Sequence, residues 1–154
     1  MLLVSLTAWL YYPGQTGPAL LDDYSSLGSL QNLQSTPEQA WDYVLGDNSG
    51  LLGRSVSMAT FVAEQIYTDG GPEITKMVNI AIHLLNGLLV AALFFLLAES
   101  KSFPLASIAA VVFAGIWLLA PLQVSAVLYS VQRMAMLAAT FSLFSLIFYM
   151  LWRR

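Results

Sequence analysis

The chain has 154 residues, 58% of them hydrophobic and only 10% charged, and six Lys and Arg stand against nine Asp and Glu for a formal net charge of −3. This apolar share exceeds that of a soluble globular domain of the same size, and no basic field exists to collect nucleic-acid phosphates, so the chain reads as a membrane protein that binds no nucleic acid. With no cysteine and a single histidine, His83, disulfides, thiolate sites, cysteine nucleophiles and multi-histidine metal sites are excluded.

A helix needs about 20 apolar residues to cross the ~30 Å hydrocarbon layer. Leu2 to Tyr12 is apolar but rises only about 16 Å as a helix, so it cannot cross alone, and it lacks the positive n-region of a signal peptide. Two readings fit: an interfacial segment, or the last half of a transmembrane helix whose beginning precedes this chain. The second is preferred. Residues 13–71 then form a connection far longer than the ~4–6 residues usual between elements. Thr36-Pro37-Glu38-Gln39 reads as a capping box that opens a short helix through Leu45, stopped by Gly46. Val56, Ala59, Phe61, Val62 and Ile66 make Ser55 to Tyr67 an amphipathic helix able to lie on a membrane surface. Asp69-Gly70-Gly71-Pro72 turns the chain into the next span.

Three full spans follow. The first runs from about Met77 to Ala98, with Pro72 and Glu73 in its opening turn. The second runs from Phe103 to Ala120 and ends at Pro121. The third starts at Val124 or Tyr129 and runs to Trp152, closed by Arg153 and Arg154. The predicted fold is therefore all-α, a polytopic membrane helical bundle. It has a partial N-terminal helix (1–12), an external loop with short helices (13–71) and a three-span region (72–154).

Lys and Arg are retained on the cytoplasmic side of membranes. Lys101, Arg153 and Arg154 fall on one side if the spans alternate. The segment Pro13 to Lys76, with eight acids against two bases, is then outside.

Polar residues at membrane depth or at its rim are the candidate sites. Asp22 and Asp23 follow the first apolar segment; adjacent carboxylates there offer oxygen ligands to a divalent cation or a general base, and the plain alternative is a solvated turn. Asn79, His83 and Asn86 share one face of the first full span, with Lys76 one turn earlier. They either bond between helices, with Gly87 permitting close approach, or line an outward cavity. His83 lies about 16 Å along a helix starting at Pro72, below the rim. Arg133 lies about 28 Å from Trp152, near the outer boundary of the hydrocarbon layer. It snorkels to the headgroups or grips a lipid phosphate, and Arg54 offers a second cation from the loop.

The order of these features resembles that of the GT-C multipass glycosyltransferases, in particular the bacterial relatives of the protein O-mannosyltransferase superfamily, which often carry tetratricopeptide repeats. The likeness is carried by Leu21-Asp22-Asp23-Tyr24-Ser25-Ser26-Leu27, by Ser49 to Met58, by Asn79 to Val90, and by Pro121-Leu122-Gln123-Val124 with Tyr129-Ser130-Val131-Gln132-Arg133-Met134. The resemblance implies an enzyme of the bacterial inner membrane that transfers a sugar from a polyprenyl-phosphate donor to an acceptor outside the cytoplasm. It implies Asp22 or Asp23 as the catalytic carboxylate, Arg133 and Arg54 as phosphate contacts, and His83 with Asn79 as cavity or loop support. Only the opening part of the family is matched, so the chain reads as the N-terminal part of such an enzyme, or as a reduced relative keeping the scaffold and inactive by itself. The alternative is a small noncatalytic membrane subunit whose polar helix face docks partner helices. No broken helix pair or inverted repeat suggests a transporter, and no filter suggests a channel.

Overall fold

Prolines and glycines set the helix ends in this chain, and apolar runs fill the space between them. The computed structural model describes every residue except 1, 20–22, 24–26, 29, 31–36, 47–53, 69 and 154. The described residues contain helices and no strand, as the all-α expectation requires.

Helix α1 spans Leu2–Tyr11 and tightens into a 3-10 segment, Tyr12–Thr16, where Pro13 lacks the N–H that would continue an α-helix. Helix α2 spans Pro37–Leu45. Its start is the proline of the predicted capping box, whose Thr36 lies outside the described residues, and Gly46 closes it by donating to the Asp42 carbonyl at 2.7 Å. Helix α3 spans Ser55–Thr68. Its buried face, Met58, Phe61 and Val62, packs with Leu30 and Val44 into an apolar cluster. Gly70 (φ +64°) and Gly71 (φ +110°) then adopt backbone angles that favour glycine, and Pro72 opens helix α4, Pro72–Ser100.

Helix α4 is the central element, and every other described helix except α2 packs against it. Its 29 residues rise about 43 Å. Helix α5, Ala106–Leu118, has only 13 residues, about 20 Å. After α6, Gln123–Leu128, the extended backbone of Tyr129 (ψ 112°) breaks the chain. A 3-10 turn, Ser130–Gln132, then leads into α7, Arg133–Trp152.

Among the described residues, two helices are long and apolar enough to cross a membrane, Pro72–Ser100 and Ser130–Trp152. The expected span from Phe103 to Ala120 is represented by a shorter apolar helix, Ala106–Leu118. The stretch from Phe103 to Ala120 is trimmed at both ends, by the turn around Pro104 in which Ala106 N–H donates to the Phe103 carbonyl at 3.2 Å, and by the turn leading to Pro121. What remains is shorter than the hydrocarbon layer. The last span begins at Ser130 rather than Val124, because the Tyr129 break ends α6. In the second long helix only 17% of the apolar window is buried, unlike the core helix of a soluble domain.

Helices α4 and α5 meet at Gly87. A Cβ there would fall 2.4 Å from Cδ2 of the buried Leu118 and within 2.7 Å of its Cγ and Cδ1. Gly87→Ala should therefore destabilise the purified protein by ~1–3 kcal/mol, the usual cost of overpacking. Leu118→Ala in the same chain should recover part of the loss in a thermal unfolding comparison.

Candidate functional site

Helix breaks create the polar chemistry of this protein. The interruption at Tyr129 leaves carbonyls without helical donors, and buried carbonyls need partners. Asn79, fully buried on α4, supplies one: its Nδ2 lies 3.2 Å from the Val127 carbonyl, 3.2 Å from that of Tyr129 and 3.4 Å from that of Ser130. One turn on, His83 Nε2 donates to the Leu118 carbonyl at the last residue of α5, 3.1 Å away. Asn86 Nδ2 donates to the Met136 carbonyl at 2.9 Å, while its Oδ1 accepts from Thr140 Oγ1 at 2.7 Å. The His83 ring packs between Tyr11 and Trp117, with centroids 5.2 and 4.9 Å away. The polar face of α4 is thus engaged within the chain, where it ties α4 to α5, α7 and the 127–130 break.

At the N-terminal ends of α4 and α7 a second group converges. Arg133, the first residue of α7, is completely buried. Its Nε donates to Asn79 Oδ1 at 2.8 Å, its Nη2 to the Thr75 carbonyl at 2.9 Å and its Nη1 to Thr60 Oγ1 at 3.3 Å. The same Nη2 pairs with Glu64 Oε2 at 2.8 Å, Thr75 Oγ1 donates to Glu64 Oε1, and the guanidinium carbon lies 4.1 Å from the centroid of the Phe61 ring. A cation at a helix N-terminus opposes the macrodipole. Here the Glu64 carboxylate, at the positive ends of both α4 and α7, offsets that charge.

Beside this pair, where α3, the turn before α4 and the helix ends meet Pro18, Ala19, Asp23, Leu27, Gly28 and Leu30, lies a cavity of about 380 Å³. Pro18, Leu27, Leu30, Phe61 and Pro72 give it apolar walls, and Asp23, Glu64, Gln65, Thr75 and Ser130 bring polar groups. Asp23 is buried, and its Oδ1 accepts the Val131 N–H at 2.9 Å. This N–H is one of the donors that the start of a helical segment leaves unmatched. Lys76, only 2% exposed, donates its ammonium to the carbonyls of Gly17 and, at 3.0 Å, Pro18, so it anchors the chain leaving the 3-10 segment. A Cβ at Gly17 would lie 3.2 Å from the Gly14 carbonyl oxygen, a tight contact with backbone.

The structure therefore brings Asp23 to the cavity wall and Arg133 directly behind it. Asn79 and His83 lie outside the lining, and Arg54 stands ahead of α3, its carbonyl accepting from Met58 N–H and Ser57 Oγ, each at 2.9 Å. Asp22 lies outside the described residues. Among the described residues no three His, Asp or Glu side chains group as a metal site. Sequence reasoning missed Glu64 and Thr75. The available signal was Glu64 itself, an acid three residues after Phe61 and so on the buried face of an amphipathic helix.

Breaking a buried ion pair from one side leaves an uncompensated charge, at a cost of ~3–5 kcal/mol. Arg133→Met and Glu64→Leu should each lose about that much in equilibrium unfolding from detergent micelles, and the double variant should lose less than the two combined. Additive losses would show that the side chains act separately. Comparison with protein-family models, with curated proteins and with solved structures gave no match for this chain.

Proposed function

We propose that the chain is the N-terminal part, or a reduced relative, of an integral membrane glycosyltransferase that uses a polyprenyl-phosphate-linked sugar outside the cytoplasm. The observation that carries the reading is the position of Asp23, a buried carboxylate on the wall of a part-apolar cavity at the shared end of the two long helices. Charge placement supports the orientation: Lys101 and Arg153 follow the opposite ends of α4 and α7.

In this reading the Asp23 carboxylate, assisted by Asp22, takes the proton of an acceptor hydroxyl as its oxygen bonds to the anomeric carbon. The bond from that carbon to the phosphate oxygen breaks, and the lipid phosphate departs with the electron pair. Arg133, with Arg54 from the loop, is the phosphate contact. The apolar walls admit the start of an isoprenoid chain.

A second reading, a noncatalytic subunit that docks partner helices, is favoured by the apolar faces that α5 and α7 leave uncovered, including Ile108, Val111, Ile116, Leu146 and Phe148. The inward-turned Asn79 and His83 take no part in such docking.

Asp23→Asn keeps an oxygen that accepts the Val131 N–H but removes the base. It should abolish transfer from radiolabelled polyprenyl-phosphate hexose in native membranes while the protein's abundance stays within about twofold, as should Asp22→Asn. Unchanged transfer in both variants would remove the enzyme reading. The chain has no cysteine, so single cysteines report its orientation. One at Tyr67 should react with an impermeant maleimide in intact cells, and one at Lys101 only after permeabilisation. The reverse pattern would invert the topology.

A further inference from the structure

The grip on Glu64 has the form of an anion site. Arg133 Nη2 holds one carboxylate oxygen and Thr75 Oγ1 the other, and the guanidinium is fixed in advance by Asn79, the Thr75 carbonyl and the Phe61 ring. Two donors on two oxygens of one anion is also how a phosphate is held. Phe61, Glu64 and Thr75, all in contact with Arg133, line the cavity, so Glu64 stands between the buried guanidinium and anything that enters. Its helix, α3, is followed by Gly70 and Gly71, both at positive φ, before α4 begins at Pro72.

We infer that Arg133 and Thr75 form an anion cradle filled by the protein's own Glu64 carboxylate, and that the phosphate of a ligand entering the cavity competes with Glu64 for it. Exchange of one anion for another keeps the buried cation compensated at every stage, whereas simple withdrawal of Glu64 would strand it. Glu64 thereby sets the affinity of the cavity for phosphate, and α3 shifts when the ligand wins. The inference rests on the reading of the cavity as a polyprenyl-phosphate site. Binding is read without sugar transfer, so a failure of the transferase reading leaves a separate result.

The test uses the whole chain in phosphatidylcholine nanodiscs, with citronellyl phosphate, inorganic phosphate and citronellol as probes. Glu64→Gln, which keeps the side chain's shape and removes its charge, should bind citronellyl phosphate at least about tenfold tighter than the unsubstituted protein, as expected when a competing charge is removed. It should also gain more in thermal midpoint from that probe, and the gain should vanish in Glu64→Gln/Arg133→Gln. Citronellol should show no gain. A parallel gain with inorganic phosphate assigns the cradle to the phosphate group alone, and a gain confined to citronellyl phosphate assigns it to a lipid-borne phosphate. If Glu64→Gln fails to accumulate, Glu64→Asp, with its carboxylate drawn back by one methylene, takes its place and should show a smaller gain. Equal affinity of variant and unsubstituted protein for both phosphates, or a gain that persists without Arg133, would overturn the inference.

Discussion

The buried contact between Arg133 and Glu64 fixes the end of this molecule at which α4 and α7 begin. An arginine without access to water must find a counter-charge and partners for its N–H groups, and here they come from two other helices. Glu64, Phe61 and Thr60 belong to α3, while Asn79 and Thr75 belong to α4. Satisfying one guanidinium therefore sets the height and rotation of α3 above the ends of α4 and α7. The cavity exists because α3 is held there, since Phe61, Glu64 and Gln65 form part of its wall.

The polar face of α4 follows from the same requirement applied to the backbone. A chain that stops α5 at Leu118 and breaks at Tyr129 exposes carbonyls deep among apolar side chains, and a polar group left unmatched there is costly. Asn79 and His83 meet these carbonyls, and Asn86 and Thr140 pair around the Met136 carbonyl of α7. His83 Nε2 carries the proton it donates to Leu118, which leaves Nδ1 as an acceptor without a hydrogen-bond partner among the described residues. Asn79 serves both systems: its amide nitrogen holds the break at 127–130, and its oxygen aims Arg133. The geometry of the rim thus depends on a residue below it.

Much of the helix layout was legible in the sequence, because proline and glycine act locally. Pro37 opens α2, Gly46 ends it, and Gly71-Pro72 starts α4. Span lengths were less legible: a hydropathic run from Phe103 to Ala120 does not reveal that turns at both ends reduce its helix to Ala106–Leu118. Arg133 illustrates the remaining gap. Counting helical rise gives its depth, but neither the direction in which it points nor its partner, since Glu64 lies in α3, with three further α-helices between them in the sequence. The spacing of Asn79, His83 and Asn86 marked a shared face, yet only the packed structure decides that this face meets carbonyls of the same chain rather than a cavity or a partner helix.

The joint between α3 and the two long helices is ionic. Apolar side chains of similar volume would fasten α3 as well or better, because a buried ion pair loses about as much in desolvation as it gains in attraction. An apolar joint, however, opens only by exposing its surfaces to water. An ionic joint has another route: a second anion of suitable shape replaces the first, and the cation is never left bare. The Arg133–Glu64 contact combines a pre-oriented guanidinium, a threonine hydroxyl on the second oxygen and a cavity directly in front. In the competition proposed above, such an arrangement resists water but yields to an anion.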